Sequence, residues 1–113
     1  MKDFLFVFRN DFQALGQPSP EEMQVTMKKW MDWIGNFAAQ NKLIDRGNRL
    51  HGDGKVVKTG NVITDGPYAE VKELIGGYTL VRAESLEEAA EMAKNCPILE
   101  MGGNVEVREI NPM

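Results

Sequence analysis

Apolar residues recur along this chain in two rhythms, one of period two and one near 3.6. In DFLFVF, residues 3–8, Phe4, Phe6 and Phe8 alternate with Leu5 and Val7, so the predicted strand is apolar on both faces. Such a strand is expected to be covered on both faces. Residues 19–43, SPEEMQVTMKKWMDWIGNFAAQNKL, take the helical rhythm. Met23, Met27, Trp30, Ile34 and Phe37 form one stripe, and Trp33 widens it. Ser19 is the expected N-cap, Pro20 suits the first helical position, and Glu22 completes a capping box. Asn41 is the expected stop.

LIDRGNRLHG and KVVKTGNVIT read as the paired arms of a hairpin turning at Gly52-Asp53-Gly54, with Gly47 and Gly60 at bulges or bends. GGYTLVRA is a further strand. SLEEAAEMAKNC is a second helix, capped by Ser85 and stopped by Pro97. Its stripe of Leu86, Ala89, Ala90 and Ala93 allows close approach to a sheet. NVEVREI is the last strand. The order predicts an α+β domain over residues 1–113, a ferredoxin-like split βαβ unit with an inserted hairpin. Its antiparallel sheet carries two helices on one face.

Two helices leave the other sheet face bare, and a second copy of the chain would cover it. Burial of roughly 1,500 Å² would make that an ordinary dimer contact. Strand parity assigns Thr79, Val81, Ala83, Val105 and Val107 to the helix side. Tyr78, Leu80, Arg82, Glu106, Arg108 and Ile110 then face away, because a guanidinium beneath the helices would be costly. Arg82 and Arg108 become candidates for ion pairs at the interface or for contacts with a ligand.

Composition removes several function classes. No apolar run approaches membrane-spanning length, and the opening MKDFLFVFRNDF lacks the cleavage site of a signal peptide. A cytoplasmic protein is the expectation. The net charge is −4 with basic residues scattered, so no nucleic-acid surface is expected. Cys96 and His51 are the only residues of their types, so no disulfide and no metal site is expected. Nothing in the chain calls for a cofactor.

The stretch NVITDGPYAEVKELIGGY, residues 61–78, raises the sharpest functional question. Asp65 is expected to hold the Asp65-Gly66-Pro67-Tyr68 corner by accepting backbone N–H bonds, with general base as the functional alternative. Tyr68 anchors the loop or lines a pocket. Glu70, Lys72 and Glu73 read as a solvated charged face.

This stretch resembles the signature of the DGPF proteins, a branch of the YCII-related family, with Tyr68 in place of the usual Phe. SPEEM, SLEEAAEMAKNCP and GGNVEVREI extend the resemblance over nearly the whole chain. The resemblance implies a ferredoxin-like fold paired into a dimeric α/β barrel. Some members look like enzymes with a His–Asp pair, related to a dehydrochlorinase of chlorinated aromatics. Some DGPF proteins are associated with extracytoplasmic-function sigma factors.

The chain departs from the His–Asp pattern. Trp30 falls near the position of the family histidine on the first helix, and Cys96 stands before Pro97 where the family has aspartate. Trp30 is therefore a core ring or the aromatic wall of a cleft. His51 is an exposed hairpin residue, or it reaches across the dimer towards Asp65 in place of the missing imidazole. Cys96 reads as a small buried hydrophobe. Three functions remain in view. The first is a homodimeric small-molecule-binding domain. The second is a cofactor-free enzyme of proton transfer or elimination on a small aromatic or acidic molecule. There Asp65 or His51 is the base and Arg82 or Arg108 stabilises the anion. The third is a sigma-factor-associated accessory protein.

Overall fold

A computed structural model of the chain describes residues 1–12, 15–67 and 73–112. Among these residues six strands and two helices follow in the order β1 (Lys2–Asn10), α1 (Pro20–Ala39), β2 (Leu43–Asp45), β3 (Gly54–Lys58), β4 (Val62–Gly66), β5 (Leu74–Ala83), α2 (Leu86–Ala93) and β6 (Asn104–Glu109), with a 3-10 turn at Pro97–Met101 before β6. The main sheet has the order β2-β5-β1-β6 with every neighbour antiparallel. That is the ferredoxin-like arrangement expected from the sequence.

The alternation in β1 is carried through. Phe4, Phe6 and Phe8 are buried under the helices, while Leu5 and Val7 on the other face are half-buried. Thr79, Val81 and Ala83 of β5 join the buried side, and Val105 and Val107 of β6 pack against it. From α1 come Trp33 and Phe37; from α2 come Ala89 and Ala93. The rings interlock: Trp33 stacks on Phe6 at 5.9 Å and meets Phe37 edge-on at 4.9 Å. Offset and edge-on contacts suit the ring quadrupoles. Trp33 Nε1 also donates to the Met92 carbonyl at 3.2 Å, which ties α1 to α2.

The caps form as the sequence dictates. Ser19 Oγ accepts from the Glu22 N–H at 3.1 Å, and the Glu22 carboxylate accepts from the Ser19 N–H at 3.4 Å. Ser85 caps α2 through the Glu88 N–H. Helix α1 ends at Ala39, and Asn41 follows with φ of +60°.

Two expectations are corrected. The hairpin turns at residues 59–61, not at Gly52-Asp53-Gly54: Val57 faces Ile63 and Lys58 faces Val62. Gly60 and Asn61 take φ of +84° and +62° there, a conformation those two residues tolerate. Leu43–Asp45, expected in that hairpin, is instead an edge strand on β5. The apolar stripe of α1 is also covered only in part. Met23 and Met27 are 50% and 57% exposed, while Trp33 and Phe37 are buried. A helix of this length spans about 30 Å, and among the described residues its first half stays largely exposed.

Gly47 has a structural reason. Its φ is +73°, and a Cβ there would lie 1.7 Å from the Tyr78 carbonyl oxygen. Only glycine lets the chain after β2 press this closely on β5.

The β3–β4 hairpin forms a separate two-stranded sheet. Together with the bare sheet face it makes the chain spread out. The radius of gyration is 15.5 Å, against about 13 Å for a compact chain of this length. The accessible surface is 8240 Å², whereas a compact chain of this mass exposes about 6200 Å².

Candidate functional site

The five candidate residues that lie among the described ones do not converge in one chain. The main sheet separates two of the groups, and the hairpin segment holds a third. Trp30 lies on the helix side, half-buried, with its ring edge-on to Phe8 at 4.9 Å and to Trp33 at 5.7 Å. It belongs to the aromatic core. Arg82 and Arg108 lie on the open sheet face, as parity required. His51 and Asp65 belong to the segment around the hairpin. Tyr68, with Glu70 and Lys72, lies outside the described residues.

The open face can be mapped in rows from the strand register. Arg82 pairs with Asp3 in one row; the next holds Leu80, Leu5 and Arg108; the third holds Tyr78, Val7 and Glu106. An apolar floor of Leu5, Val7, Tyr78 and Leu80 is thus flanked by charges. Arg82 Nε stands 3.9 Å from Asp3 Oδ1. Glu106 lies between two guanidiniums: Arg9 Nε donates to Oε1 at 3.2 Å and Arg108 Nη1 to Oε2 at 3.3 Å. Arg9 Nη1 also donates to the Glu73 carbonyl at 2.9 Å, just before β5 begins.

Arg9 was not among the residues singled out from the sequence. The signal was present, because Arg9 continues the Leu5–Val7 alternation on the same face. A register shift lies between Phe8 and Arg9, where β1 pairs with β5. Arg9 nonetheless reaches the open face, as its bond to Glu106 shows.

A guanidinium has five N–H donors. The one carboxylate of Glu106 therefore leaves donors on Arg9 and Arg108 for another acceptor. Planar, bidentate donation suits a carboxylate or a similar anion, and the apolar floor beside it suits a ring.

Asp65 sits within β4, opposite Lys55, and its carboxylate pairs with the Lys55 ammonium across the hairpin. Its side chain is 91% exposed. The expected tie to backbone N–H groups two or three residues on falls on Tyr68, which lies outside the described residues. An open hollow of about 490 Å³ lies beside it, lined by Asp53, Gly54, Lys55, Asp65 and Gly66. His51 is exposed after β2, with no hydrogen bond or ion pair among the described residues.

Cys96 is 2% exposed, and burial pushes its thiol up to about 12. That keeps it protonated near neutrality and makes it packing rather than nucleophile, as the sequence suggested. Among the described residues no group of three metal-binding side chains comes together, and no helix is long and apolar enough to cross a membrane.

Fold and face together define an α+β protein of ferredoxin-like topology, with one sheet face helical and the other carrying arginines around an apolar floor. The chain belongs to the YCII-related domain family, whose model matches residues 4–113. Among solved structures it is similar to 5-chloro-2-hydroxyhydroquinone dehydrochlorinase from Burkholderia phenoliruptrix AC1100, in complex with 2,5-dihydroxybenzoquinone. The similarity has a TM-score of 0.52 at 17% identity, over 98% of this chain and 95% of that one. At this identity the likeness concerns the fold. No curated protein matches the chain.

Proposed function

We propose that this protein is a homodimeric small-molecule-binding domain whose open sheet faces meet in a dimeric α/β barrel. Its ligand is a small anionic ring held by Arg9, Arg82 and Arg108. The single observation that carries this reading is the open face itself. Leu5, Val7, Tyr78 and Leu80 form an apolar floor on the side away from α1 and α2, edged by Arg82, Arg108 and the Arg9–Glu106 pair. A surface of 8240 Å² leaves ample area for a dimer contact, since ordinary interfaces take about 800 Å² from each partner. Dimerisation would lower the dielectric around the arginines and strengthen their hold on an anion.

Binding is favoured over catalysis because, among the described residues, the carboxylates beside the arginines, Asp3 and Glu106, are held in ion pairs with them. The catalytic alternative, proton transfer or elimination on an acidic aromatic, needs Asp65 or His51 delivered from a second copy. An accessory role beside a sigma factor rests on the family resemblance alone. The dehydrochlorinase of similar fold holds a dihydroxybenzoquinone, so hydroxyquinones and aromatic carboxylates are the first probes.

A thermal-shift screen with those two classes tests the reading. A specific ligand raises the midpoint with concentration. The shift is expected to vanish in Arg82→Ala/Arg108→Ala. No shift from any member, or one unaffected by removing both arginines, overturns the assignment. Turnover of a bound hydroxyquinone would move the protein to the catalytic alternative.

A further inference from the structure

The β3–β4 hairpin pairs with no strand of the main sheet. A lone two-stranded hairpin is marginally stable in water unless one of its faces is packed. This one turns a matched apolar pair outward: Val57 and Ile63 stand opposite each other and are 67% and 64% exposed. Lys55 and Asp65, two residues along each strand, share that face and pair with one another. On the other face Val56 and Thr64 are half-buried, and Val62 is 51% exposed. Single exposed aliphatics are ordinary, but a contiguous cross-strand pair on a projecting element marks a contact surface.

Charge and area indicate what covers it. Residues 46–67 carry Arg46, Arg49, Lys55 and Lys58 against only Asp53 and Asp65, in a chain of net charge −4. The remainder of the chain is therefore acidic, with exposed Glu21, Glu22, Glu87 and Glu91 on its two helices. A basic segment and an acidic body are complementary between copies of one chain. The accessible surface of 8240 Å² exceeds the compact value by roughly 2000 Å², more than the roughly 800 Å² that one side of an ordinary dimer contact requires.

We propose that the β3–β4 hairpin is an arm that grips a second copy of the chain. The Val57–Ile63 face packs on the partner, and Lys55, on the same face, lies towards its acidic residues. The inference rests on the dimeric reading above and deepens it, because the arm carries Asp65 out to the neighbouring copy.

Val57→Lys/Ile63→Lys tests it, since both side chains already face solvent in the single chain. Sedimentation velocity over a dilution series should show the dimer dissociation constant raised about tenfold or more, with the far-UV circular dichroism of the wild type retained. Hydrogen exchange on the wild type gives an independent readout. Amides of residues 57–63 should be protected at high concentration and lose that protection on dilution. A double variant that dimerises with the wild-type constant, or hairpin amides that exchange at one rate at every concentration, overturns the arm and leaves the sheet-face dimer standing. A wild type that is monomeric throughout overturns both.

Discussion

Arg9 and Glu106 join β1 to β6 across the open face, Nε to Oε1 at 3.2 Å. The same guanidinium reaches the Glu73 carbonyl at 2.9 Å, where the chain enters β5. One side chain thus links β6 to the residue that leads into β5. Arg108 shares the Glu106 carboxylate from the other side.

This sharing gives the first prediction. Glu106→Gln keeps the shape and removes the charge that occupies both arginines. Exposed ion pairs contribute up to about 1 kcal/mol, so stability should change little. Affinity for a ligand found in the thermal-shift screen should rise, because the competing carboxylate is gone. Arg9→Met should do the reverse: it leaves Glu106 with one cation fewer and the Glu73 carbonyl without its donor, at a cost of about 1–2 kcal/mol. Titration calorimetry and urea unfolding of the two variants check the opposite signs.

Trp33 gives the second. It stacks on Phe6, meets Phe8, Trp30 and Phe37 edge-on, and ties α1 to α2 through the Met92 carbonyl. Trp33→Ala should destabilise by about 3–5 kcal/mol. Trp30→Ala should cost less, since Trp30 is only half-buried and the cavity opens to solvent. Urea midpoints of the two variants should keep that order.

Cys96 gives the third, through pH. Its thiol is raised by burial from 9.0 to about 12. The folded state therefore holds the proton more tightly than the unfolded state does. The resulting contribution is full below pH 9 and is lost as pH rises from 9 towards 12. Stability measured over that window should fall more steeply for the wild type than for Cys96→Ala. Thiol labelling of the native protein at pH 8 should be slow and should accelerate only with unfolding.

Much of the fold was legible because it rests on short-range patterns. The Phe4-Phe6-Phe8 alternation, the Ser19–Glu22 box and the alanines of α2 each encode their element locally, and each formed. The hairpin turn was misplaced because two glycine-bearing sites competed. Gly60-Asn61 took the turn with both residues at positive φ, and Leu43–Asp45 was drawn to β5 by a pairing distant in sequence. Met23 and Met27 keep helical spacing, but spacing does not reveal how far a sheet extends beneath a helix. The candidate site was legible in part. Parity alone placed Arg82, Arg108 and Glu106 on one face. It did not reveal that Arg9 joins them past a register shift, or that Trp30 lies on the opposite side of the sheet.

A second copy is proposed to cover the face of Leu5, Val7, Tyr78 and Leu80. Light scattering coupled to size exclusion, run over a dilution series, tests it most directly. The expected result is a molar mass about twice that of the 12.7 kDa chain and a return to the single-chain mass in Leu5→Lys/Leu80→Lys. A wild type that elutes at 12.7 kDa at every concentration would contradict it.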